Sequence, residues 1–63
     1  MMKVMFWFEN LQEYETLGEY SVLEITRVIE IINNRGVLHD GEMYRVKNAY
    51  YSTTQEAMMI DLI

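Results

Sequence analysis

His39, Asp40 and Glu42 are the residues of this chain whose types and spacing come nearest to chemistry. A tight turn at Asp40-Gly41 sets His39 opposite Glu42, and an imidazole with neighbouring carboxylates is a donor set for a divalent metal. Three ligands on one exposed turn do not close a coordination shell, and nothing in the spacing supplies outer groups to orient them. The turn therefore reads as solvated polar residues, with no metal or cofactor assigned. The single histidine also lacks a serine or cysteine nucleophile with a matching orienting carboxylate. Glu13 and Glu15 are the nearest carboxylate pair, but a chain of 63 residues has little room for a pocket of roughly 300 Å³ or more, so no catalytic residue is assigned and a non-enzyme is expected.

The other chemically suggestive pattern is acidic. Glu9, Glu13, Glu15, Glu19 and Glu24 follow one another with no cation between them, which is the composition of a solvated face. A sharper reading is that spaced carboxylates on a small scaffold imitate nucleic-acid phosphates and block a DNA- or RNA-binding protein through charge complementarity.

Composition narrows the remaining classes. Ten acidic against five basic residues give a net charge of −5, which argues against nucleic acid as a direct ligand. No cysteine is present to cross-link a small core. Half of the residues are hydrophobic, which excludes a disordered tail, while the longest apolar run, Val4 to Phe8, is far too short to span a membrane. Met1-Met2-Lys3 and the short apolar stretch after it lack the long apolar segment and small-residue cleavage site of a signal peptide, so a cytoplasmic location is expected.

With no proline, linker or repeat, residues 1–63 read as one small domain. Lys3 to Phe8 is a strand with Val4, Phe6 and Phe8 on one face and Met5 and Trp7 on the other. Asn10-Leu11-Gln12 turns into a second strand, Glu13 to Leu17, with a short helix as the rival. Ser21-Val22-Leu23-Glu24 has the form of a capping box, and Val22, Ile25, Val28, Ile29 and Ile32 fall on one side of the helix that follows. Gly36 ends it. Asp40-Gly41 predicts a type I′ hairpin between Val37-Leu38-His39 and a strand running from Glu42 to about Tyr51, bulged near Asn48-Ala49. Along that strand Tyr44, Val46 and Tyr50 face the helix. Ala57 to Ile63 alternates as a last strand, with a C-terminal helix as the rival.

The expected fold is α+β: a two-layer sandwich of one helix on a four- to five-stranded, mainly antiparallel sheet. Its core is drawn from Val4, Phe6, Phe8, Val22, Ile25, Ile29, Ile32, Val37, Tyr44, Val46, Ile60 and Leu62. The face away from the helix then collects Met5, Trp7, Leu38, Met43, Tyr51, Met59 and Ile63, beside Arg45 and Lys47. Burying one apolar side chain is worth roughly 1.5–3 kcal/mol, so leaving several exposed forfeits an amount comparable to the stability of a small domain. Another surface should cover them.

These residues lead to a small non-enzymatic interaction module. It is expected to be a homodimer, or to bind another protein that it regulates or inhibits, with no nucleic acid and no membrane as partner. Trp7, Met43, Arg45 and Tyr51 are the candidate contact residues, and Trp7 leads because tryptophan is enriched among binding hot spots. In size and texture the chain looks like the short accessory proteins of phages and other mobile elements. The acidic nucleic-acid mimic is the alternative.

Overall fold

A computed structural model describes all 63 residues, Met1 to Ile63. The chain runs β1 (Met2–Phe8), β2 (Glu13–Tyr20), α1 (Val22–Arg35), β3 (Val37–His39), β4 (Glu42–Tyr44), β5 (Val46–Ser52) and β6 (Ala57–Leu62). It is α+β with one helix, but the strands form two sheets. Four of them lie in the order β2-β1-β6-β5, and β3 and β4 pair only with each other.

The main sheet is mixed, not mainly antiparallel as expected: its two central strands, β1 and β6, are parallel, while β2 and β5 pair antiparallel on the outside. Central strands lie between neighbours on both sides, and these two are apolar almost throughout. Val4 to Phe8 and Ala57 to Ile60 are those runs. The edge strand β2 carries Glu13, Glu15 and Glu19, and charge on an edge strand resists pairing with other chains.

One core cluster joins Val4, Phe6 and Phe8 of β1 to Ile60 and Leu62 of β6, Ile25 of the helix and Tyr44 of β4. Ile29, Ile32, Val37 and Val46 pack against it while partly exposed. Val22, expected in the core, is 73% exposed because it opens the first helical turn beyond the packed surface. Within the helix only Ile25 is fully buried.

The helix starts where Ser21 accepts from the Glu24 amide and the Glu24 carboxylate accepts from the Ser21 amide. These bonds to Ser21 hold the Glu24 carboxyl below its usual pKa. A pKa lowered by folding marks stability that is present above the ordinary carboxylate range and is lost as acid protonates the group. At the other end the Gly36 amide donates to Ile32 O, with φ at +79°.

Residues 9–20 form the hairpin and not the rival helix, and the C-terminal segment is a strand. Asp40 and Gly41 both have positive φ, as a type I′ turn requires. The long strand expected from Glu42 to Tyr51 is broken at Arg45. The Arg45 backbone exchanges two hydrogen bonds with Ile63, and beyond that point β6 offers β4 no further partner. The chain then turns over the helix side of the sheet, where Tyr44 meets Phe8 edge to face at 5.0 Å and His39 stacks on Phe8 at 4.4 Å.

The irregularity in β5 falls at Lys47, between Val46 and Asn48, and not at Asn48-Ala49. One inserted residue reverses every later side chain in a strand. Tyr50, expected beneath the helix, therefore lies on the opposite face beside Met59, and Tyr51 lies on the helix side beside Met58.

Candidate functional site

The sheet face away from the helix is covered by no other element. Pairing builds it in three rows: Tyr14, Trp7, Asp61 and Asn48; then Thr16, Met5, Met59 and Tyr50; then Glu19, Lys3, Ala57 and Ser52. Its centre is apolar because the central strands supply it. Met59 is only 2% exposed and Ala57 is fully buried, although neither touches the helix-side core cluster. The cover comes from the chain itself. Tyr14 and Tyr50 rise from the two edge strands beside the half-buried Trp7 and Met5, and the Trp7 and Tyr14 rings meet at 4.4 Å.

What remains open is the outer surface of those aromatics: Tyr14 is 54% and Tyr50 47% exposed. The Tyr50 hydroxyl donates to Asp61 Oδ1 at 3.5 Å, the long limit of such a bond. Loss of water around that hydroxyl raises its pKa, and the Asp61 carboxylate adds to the effect, so it stays a neutral donor. At the same end of the face Lys47 Nζ donates to both Glu9 oxygens at 2.8 and 3.0 Å, which raises the lysine pKa. An exposed pair of this kind contributes little to stability. It does fix the position of two charges at the rim.

The four candidate contact residues are not brought together. Trp7 lies on the central strand β1, in an outer row of this face, against Tyr14 and not against a cation. Arg45 stands at its end, where its backbone pairs with Ile63. Met43 and its partner Leu38 do not belong to this face: they pair on the exposed side of the β3–β4 hairpin, and Met43 is 59% exposed. Tyr51 is on the helix side. Tyr14 and Tyr50, both missed, take the places expected of Met43 and Tyr51. The hairpin register alone would have set Tyr14 opposite Trp7, whereas Tyr50 depends on the bulge.

His39 faces Glu42 across the hairpin, yet its ring is held between other carboxylates. Glu15 lies 3.4 Å from Nδ1 and Asp40 3.4 Å from Nε2. The two acids stand at opposite edges of the ring and do not converge on one point, and no group of three or more potential ligands is arranged around an ion. The acidic run is likewise dispersed. Glu13 and Glu15 lie on the helix side, Glu19 faces Lys3 on the other, Glu9 pairs with Lys47, and Glu24 closes the helix cap. No helix is long and apolar enough to cross a membrane. No protein-family model, curated protein or solved structure matches the chain.

Proposed function

We propose that this protein is a small interaction module that docks on another protein surface through the open face of its sheet and, acting in the cytoplasm, regulates what it binds. The observation that carries the reading is the aromatic surface of Trp7, Tyr14 and Tyr50 laid over Met59, on a face that no element of the chain covers. Large aromatic side chains with a polar tip, surrounded by charged residues, have the composition of an interface centre and its rim. Their positions are set by paired strands and not by loops, which suits a contact surface held rigid before binding.

A photo-crosslinking amino acid placed at Tyr50, with the same group at the exposed helix residue Arg27 as control, tests this in cells. The expected result is a covalent adduct to protein at position 50 and none at 27. Equal labelling at both positions, or none at 50, would overturn the reading.

A further inference from the structure

We infer that the occupant of this face is a second copy of the chain, the two sheets packing face to face about a two-fold axis. This rests on the reading of the face as an interaction surface and adds the identity of the partner.

Of the five basic residues, Lys3, Arg45 and Lys47 belong to the open face or its end, together with Glu9, Glu19 and Asp61. The paired rows alone carry Lys3 against Glu19 and Asp61; with Arg45, Lys47 and Glu9 at the end the face is neutral, and the net charge of −5 belongs to the rest of the surface, where only Arg27 and Arg35 offset the acids. Two identical acidic molecules repel wherever those other surfaces meet. At the sheet face they do not, and both of its ends carry both signs: Lys47, Glu9 and Asp61 at one, Lys3 and Glu19 at the other. A two-fold axis along the strands or across them can therefore set opposite charges against one another at either end. An isologous contact needs a patch that is complementary to itself, and a neutral, mixed-sign rim around an aromatic centre meets that condition. Four strands about seven residues long span roughly 19 by 23 Å at ordinary strand spacing, a footprint of about 440 Å² on each copy, which falls below the range of stable interfaces and in that of weak, transient ones. The association is accordingly set at micromolar strength.

Sedimentation equilibrium of the purified chain from about 1 to 100 µM tests the inference. The expected mass rises to twice 7.6 kDa across that range. Thr16→Arg and Tyr50→Glu, both at exposed positions of the face, each weaken the dimer about 30-fold or more, whereas Leu38→Glu on the hairpin leaves it unchanged. Thr16 takes no part in either buried layer, so a folding defect in the tyrosine variant does not remove the test. Raising salt from about 0.05 to 0.5 M tightens the dimer several-fold, because repulsion between the acidic bodies is screened while the neutral face loses little. A monomer at every concentration, a dimer indifferent to both face variants, or one broken by Leu38→Glu would each overturn the inference. Crosslinking at position 50 to a different protein, with the purified chain monomeric, removes the second copy and leaves the interaction reading standing. Absence of any adduct removes both.

Discussion

Phe8→Ala costs about 3–5 kcal/mol, the range for deleting a buried aromatic ring and close to the whole stability of a domain this small. Phe8 is 1% exposed and joins three parts of the molecule. Its ring lies edge-on to Phe6 at 5.9 Å within β1, edge to face with Tyr44 of β4, and stacked with His39 of β3. The β3–β4 hairpin shares no ladder with the main sheet, so side-chain packing of this kind is what holds it down. Removing the ring leaves a cavity and also frees the hairpin. Urea unfolding followed by circular dichroism reads the effect: the variant is unfolded, or nearly so, without denaturant. A midpoint equal to that of the parent would mean that the hairpin is held by other contacts.

Gly36→Ala is the second large loss. Gly36 links α1 to β3 with φ +79° and ψ −175°, a backbone region that only glycine occupies without strain. An added Cβ there would also lie 2.7 Å from the Tyr44 carbonyl oxygen and 3.1 Å from Met43 Sδ. The methionine can move aside. The carbonyl is backbone and cannot move without shifting the hairpin. Strain and displacement together cost about 3 kcal/mol or more. Gly41 is the control, since its φ is also +79° but nothing lies within 4 Å of a Cβ placed there. Gly41→Ala therefore carries only the left-handed penalty of about 1–2 kcal/mol. Equal losses in the two variants, measured by the same urea titration, would show that the close approach to Tyr44 has no weight.

Much of this architecture is legible in the residues because local chemistry decides it. Ser21 with Glu24 marks the helix start, Asp40-Gly41 marks the turn, and the alternation of Val4, Phe6 and Phe8 marks the buried face of β1. The parts that are not legible depend on pairing between distant strands. That β6 lies parallel to β1 follows from no feature of either segment alone, and the apolar runs of both suit a central strand in either direction.

The candidate face shows the same division. Trp7 and Met5 fall on it from simple alternation, and Met59 from the alternation of β6. Tyr50 and Tyr51 exchange places because one extra residue at Lys47 resets the period; Asn48-Ala49 marks a bulge in this stretch without fixing which residue is the extra one. Met43 is displaced because β4 leaves the main sheet at Arg45, which reflects the end of β6 and nothing within β4 itself.

Trp7 is the only tryptophan in the chain and lies within the proposed contact, on the central strand β1, so its own fluorescence reports whether the face is covered. Acrylamide quenching of that emission across a dilution series is the most direct measurement. The expected quenching constant rises about twofold or more on dilution through the micromolar range, while Tyr50→Glu shows the diluted value at every concentration. A constant that is the same at all concentrations, in parent and variant alike, would contradict the proposed contact.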